Sequence, residues 1–289
     1  MPEASEPKSK SKPKTQTGKF DLATGLGIVL AFAGILGGLL IEGGKIKDVL
    51  QFTAFLIVMG GTVGAVLIAT PLPVVKGAGK RLMGVFVSSP PSFLVLIQEL
   101  VAYATKARKS GLVGLEEDAQ ASADTFLKKT LMLAVDGTDL QDLRKMIEID
   151  IELEEHHGEA EAKVFEAAGG FAPTIGIIGA VLGLIQVMKN LGNIDEVGHG
   201  IAVSFVATVY GVGLANLLFL PAAAKIKSAV HLETRRKEMI LEAVCGIIEG
   251  LNPKLIHAKL EGFAHGEEPA KQKTAKREDK QAAGAPAGA

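Results

Sequence analysis

Residues 167–188 read AAGGFAPTIGIIGAVLGLIQVM, with no Asp, Glu, Lys or Arg. A helix of that length spans about 30 Å, the thickness of a bilayer's hydrocarbon core. Three other stretches are equally free of charge: 22–41, 49–75 and 197–224. A water-soluble helix needs a polar face, and none of the four has one. The 289-residue chain carries 31 basic and 32 acidic side chains, all packed into what remains. The pattern predicts an all-α, four-helix integral membrane protein with a large helical cytoplasmic loop and a helical cytoplasmic C-terminal segment.

Other classes lose support on composition. A formal net charge of −1 gives no pull toward nucleic acid. One cysteine, Cys245, excludes a disulfide framework and a cysteine-rich metal site, and it reads as a small buried residue of the last helix. The chain has no Walker A sequence, no dinucleotide fingerprint after a strand and no Gly-x-Ser-x-Gly elbow. Glu154, Glu155, His156, His157 and Glu159 suggest a metal site only superficially, since adjacent helical residues point in different directions. No enzyme chemistry and no cofactor are indicated.

Lysines set the orientation. Lys8, Lys10, Lys12, Lys14 and Lys19 precede the first span, which the positive-inside rule holds in the cytoplasm. A retained anchor fits better than a signal peptide, because the apolar run is long and no Ala-x-Ala follows it. Alternation then makes 42–48 and 189–196 outer turns, 76–166 an inner loop, and both termini cytoplasmic. The expected units are a disordered basic tail (1–20), spans one and two (21–75), a cytoplasmic helical domain (76–166), spans three and four (167–224), a cytoplasmic helix (225–262) and a disordered tail (263–289). Helical spacing marks 92–109, 116–134, 138–166 and 226–250, with Thr138 or Asp139 as an N-cap. Pro173 is expected in the first turn of the third span, where its missing N–H costs little, and Pro221 in the last turn of the fourth. They serve as helix punctuation or as kinks that transmit movement.

Small residues recur four apart, at Gly34 and Gly38, Gly60 and Gly64, Gly179 and Gly183, and Ala207, Gly211 and Ala215. Such rows let helices approach closely in lipid, within one subunit or between subunits. An ion-coupled transporter normally carries an ionisable group inside the membrane. Here only His199 qualifies, near the outer mouth, so a conducted ion needs a carboxylate from a partner chain. In the loop, Arg108 and Lys109 end one helix and Glu116, Glu117 and Asp118 open the next. Those charges complement the helix dipoles, or they form an exposed tip that steers a charged partner.

Between about residues 20 and 262 the chain resembles the A subunit of the bacterial flagellar stator, the MotA family. The resemblance rests on Asp21-Leu22-Ala23-Thr24, Gly60-Gly61-Thr62, residues 172–179 (APTIGIIG), residues 207–216 (ATVYGVGLAN) and the eight-residue spacing of Arg108 and Glu116. It implies an inner-membrane, homo-oligomeric ring of five A subunits, in contact with lipid, around two MotB-type B subunits. Each B subunit is anchored to peptidoglycan and supplies the ion-binding Asp. Flux would turn the ring and drive the rotor protein FliG. By position, Arg108 and Glu116 match the rotor-contacting charges, Pro173 and Pro221 the torque-coupling prolines, and Thr208, Thr174 and Ala180 the lining of the ion path. Sodium-type relatives tend to carry Thr where Ala180 and Ala207 stand, so the resemblance favours protons. The alternative is an ExbB/TolQ-type or gliding-motor energiser of envelope processes, whose members typically have three spans.

Overall fold

The computed structural model describes residues 22–87 and 92–264. Both predicted disordered tails lie outside these residues, except for 263–264. Every element among the described residues is helical: α1 (Leu22–Ile41), α2 (Ile46–Val49), α3 (Phe52–Ala69), α4 (Leu72–Val87), α5 (Phe93–Ser110), α6 (Glu116–Ala121), α7 (Thr125–Val135), α8 (Leu140–Lys189), α9 (Ile194–Leu214), α10 (Leu220–Ile248) and α11 (Pro253–Glu261). Short 3-10 turns cover Leu112–Leu115 and Gly262–Ala264, and a π turn covers Ala215–Phe219. Four helices are long and apolar enough to cross a membrane.

No helix end separates the expected loop helix from the third span. One 50-residue helix, α8, runs from Leu140 through Pro173 to Lys189. Pro173 therefore lies deep inside a helix rather than in a first turn, and it deprives the Gly169 carbonyl of its intrahelical donor. Packing holds the helix together there. The Leu220 side chain sits against Gly169, so close that a Cβ on that glycine would lie 2.6 Å from Leu220 Cδ2.

The fourth span likewise continues into α10. Pro221 is the second residue of α10, not part of a helix end. The residue before it, Leu220, donates its N–H to Ala215 O, five residues back. Pro221 has no N–H to give, and the wider turn absorbs that missing bond without stopping the helix.

Two further expectations change. Residues 116–134 form two helices because Asp124 interrupts them. Its carboxylate caps α7, accepting from the N–H groups of Phe126 at 3.0 Å and Leu127 at 3.3 Å. The second span stops at Thr70-Pro71, and α4 then turns away to pack on α8 and α10. The sequence reading missed α4, whose three glycines depress helix propensity. Asp139 is the N-cap of α8, as expected, and accepts from Gln141 N at 2.9 Å.

The result is two bodies on shared axes. The membrane halves of α8 and α9 pack on each other and on α3. The other half of α8, with α10, enters a distal core of α5, α6, α7 and α11 built on fully buried Leu100, Leu131, Leu143, Ile147 and Ile240. Cys245 is buried there too. Helix α1 stands apart, with no buried residue in its apolar window.

Charged pairs hinge the distal core to the shared axes. Arg236 on α10 pairs with Asp124. Lys237, only 4% exposed, pairs with Glu154 of α8 and lies 5.4 Å from the centre of the Phe126 ring. The Nε of Arg236 is buried without a hydrogen-bond partner among the described residues. Asp124→Ala removes both a helix cap and the counter-charge of a mostly buried guanidinium. Thermal unfolding should show the distal domain weakened by about 2–4 kcal/mol. Asp124→Asn, which keeps the cap, should lose less.

Candidate functional site: the paired channel helices and the charged tip

Glycines bring α8 and α9 into backbone contact. A Cβ on Gly211 would lie 2.6 Å from Ala172 O and 3.0 Å from Gly176 Cα. A Cβ on Gly176 would lie 2.9 Å from Ala207 O, and one on Gly179 would lie 2.8 Å from Ala207 Cβ. The rows Gly179–Gly183 and Ala207–Gly211–Ala215 thus serve packing inside one chain. A Cβ on Gly34, Gly38, Gly60 or Gly64 would meet nothing within 4 Å among the described residues, so these rows remain open. Helix α3 joins the pair through Gly61 against Ile175 and through Tyr210. The Tyr210 hydroxyl donates to Val49 O at 2.6 Å, and its ring meets Phe55 edge-on.

The expected ion-path residues do not converge within one chain. Thr208 is half-buried beside Gly176, and its hydroxyl donates to Ser204 O of its own helix at 3.3 Å. Thr174 is exposed and donates to Phe171 O at 2.8 Å. Ala180 is half-buried and sits about 120° around α8 from Thr174. Outward from this pair point Ile178, Val181, Phe205 and Val212, all exposed and apolar. The face can line a path only against another helix, and that helix must bring the charge.

The backbone of Pro173 lies against Gly211, and the residue before Pro221 lies against Gly169, one turn below Pro173. Both prolines interrupt helical hydrogen bonding where the membrane pair joins the distal body.

The tip of the distal body is the α5–α6 corner. Gly111, at φ +75, ends α5 in the left-handed region that glycine enters freely. Lys106 donates to Asp118 at 2.6 Å across the corner and braces it. Arg108 and Glu116 are both exposed. Arg108 makes no ion pair among the described residues, and Glu116 only accepts from Gln120 at 3.2 Å. Behind them, burial pushes the Tyr103 phenol up, and its hydrogen bond to Glu99 at 2.5 Å adds to the shift. The corner is a braced mount on which Arg108, Lys109, Glu116 and Glu117 are exposed and outside any ion pair among the described residues.

Uncharged spans paired through glycine and joined by unbroken helices to a distal body define the class: a channel subunit that couples to something outside the membrane. Residues 118–239 match the model of the MotA/TolQ/ExbB proton channel family, and residues 25–111 match the motility protein A N-terminal model. Motility protein A of Bacillus subtilis is 35% identical over 239 residues, 81% of this chain and 87% of that one. Among solved structures, MotAB from C. jejuni matches at 36% identity and a TM-score of 0.82, covering 86% of this chain and 98% of that one. The flagellar MotAB stator complex from Bacillus subtilis matches at 34% and 0.78, covering 88% and 99%. The chain belongs to the motility protein A family. It is a multi-pass membrane protein with a flagellar-stator, proton-channel role.

Proposed function

We propose that this chain lies in the inner membrane with both termini cytoplasmic, forms a ring of five copies, and encloses two MotB-type subunits. Spans 21–75 and 167–224 would then be the membrane part, and 76–166 and 225–262 the cytoplasmic part. The observation that carries the reading is the α8/α9 pair, which has an apolar, uncharged outward face and two continuous shafts leading to the distal body with its charged corner. Thr208, Thr174 and Ala180 line the path on the A side. The B subunit supplies the Asp that takes up and releases a proton. Ala207 is fully buried against Gly179, and Ala180 offers no hydroxyl, so the A side lacks the extra oxygens a dehydrating sodium ion needs. Pro173 and Pro221 let the membrane pair tilt against the distal body, and Arg108 and Glu116 press on charges of the rotor protein FliG.

Support comes also from the likeness to the solved MotAB complexes. The test is conduction. Liposomes holding this chain alone, with a pH-sensitive dye inside, should acidify no faster than empty ones. Addition of the B subunit should accelerate proton entry. Conduction by the chain alone would show that its uncharged spans suffice.

A further inference from the structure

Between the distal halves of α8 and α10 runs a groove made of two concavities of about 440 and 340 Å³, which share Glu155, Glu238 and Phe263. Ile151, Leu241 and Phe263 form its apolar floor. The groove is acidic, and its acids fall into two groups. Glu242 receives Lys259 at 2.5 Å, a hydrogen bond that holds its carboxyl below the usual range, and Arg144 at 3.5 Å. Glu148 also faces Arg144, and Glu155 faces His231 at 3.3 Å. Arg235 is spent on Gly262 O. Glu152 on α8 and Glu238 on α10 remain, both exposed and without a cation among the described residues. One uncompensated carboxylate stands on each wall.

The chain itself leads out of this groove. Gly262 and Phe263 line it, and after Ala264 come residues 265–289. Within them, residues 271–277 read KQKTAKR, four cations and no acid. The six residues between Ala264 and Lys271 span up to about 20 Å, enough to turn back onto either wall. Tethering keeps the local concentration of this segment in the millimolar range, where weak ion pairs become occupied.

We propose that residues 271–277 dock in this groove of their own chain, with lysines on Glu152 and Glu238. The segment straps α8 to α10 electrostatically and comes off at high salt. This surface is separate from the α5–α6 tip and does not depend on what the tip contacts.

Two measurements on the full chain in detergent test it. Trypsin cuts after the lysines of the segment, and docking shields them. In low salt, Glu152→Gln/Glu238→Gln should be cut after Lys273 about fivefold faster than the wild type, the change two surface ion pairs supply together. At ~0.5 M salt, where the screening length falls to a few ångströms, the two rates should converge. Both glutamates are exposed, so the fold should survive, as circular dichroism will check. Equal rates in low salt overturn the proposal. Zero-length carbodiimide coupling, which joins touching amines and carboxylates, should link Lys271, Lys273 or Lys276 to Glu152 or Glu238. In a mixture of isotopically light and heavy chains, the links should stay within one isotope. Light–heavy links, or links to the groove from Lys8–Lys19 or from a partner chain, assign the groove to another occupant and overturn the proposal.

Discussion

Gly211→Val should remove this protein from the membrane. The added Cβ would meet Ala172 O at 2.6 Å and Gly176 Cα at 3.0 Å, both backbone atoms of α8. No side chain can rotate away to make room, so the two helices must separate. Overpacking a well-fitted core costs typically 1–3 kcal/mol, and a clash between backbones belongs at or above the top of that range. The separation would also release Gly176 from Ala207, undoing the contact along most of the pair. Steady-state protein should fall severalfold, and motility should be lost. The control is Gly64→Val, where a Cβ meets nothing within 4 Å among the described residues. If Gly211→Val accumulates and unfolds like wild type, α8 and α9 do not touch in this way.

Arg108→Glu should cut swimming speed severalfold while leaving the fold in place. The side chain is exposed and unpaired among the described residues, so its structural value is confined to the last turn of α5. There a cation complements the helix dipole by about 0.3–1 kcal/mol, too little to unfold a domain with so large a core. A loss of motility with unchanged thermal unfolding therefore points to a contact, and a matching reversal on the rotor face should restore part of the speed. Glu116→Lys should behave in the same way. Rescue should weaken as salt rises, since exposed charges are screened within about 8 Å at physiological ionic strength. Swimming at full speed with both charges reversed would place the contact elsewhere.

The exposed corner that carries Arg108 and Glu116 was legible without coordinates. Arg108 and Glu116 stand out because glycines at 111 and 114 must break the helical pattern between them, and a break between two amphipathic helices lies at a surface. The clamp of Asp124, Arg236 and Lys237 was not legible. Lys237 counts in the sequence as one more cation holding the tail inside, yet it is among the most buried polar residues of the chain. Glu233, four residues before it, is a local partner, but Glu154 is more than eighty residues away and no local pattern links it to Lys237. The acid at position 124 can start a helix, but the helical spacing of 116–134 runs straight through it.

The sequence by itself determined the four uncharged spans, the absence of an intramembrane carboxylate, and hence the need for a partner chain. These follow from transfer free energies, which depend on residue type and run length alone. Tertiary structure decided that the third and fourth spans each continue as one rod into the distal body. A proline read in isolation marks an end, because it removes a backbone hydrogen bond. Whether the helix continues depends on what surrounds the gap: Leu220 seated on Gly169, Gly211 against Pro173, and a π turn ahead of Pro221. Those neighbours come from far along the chain, and only folding brings them together.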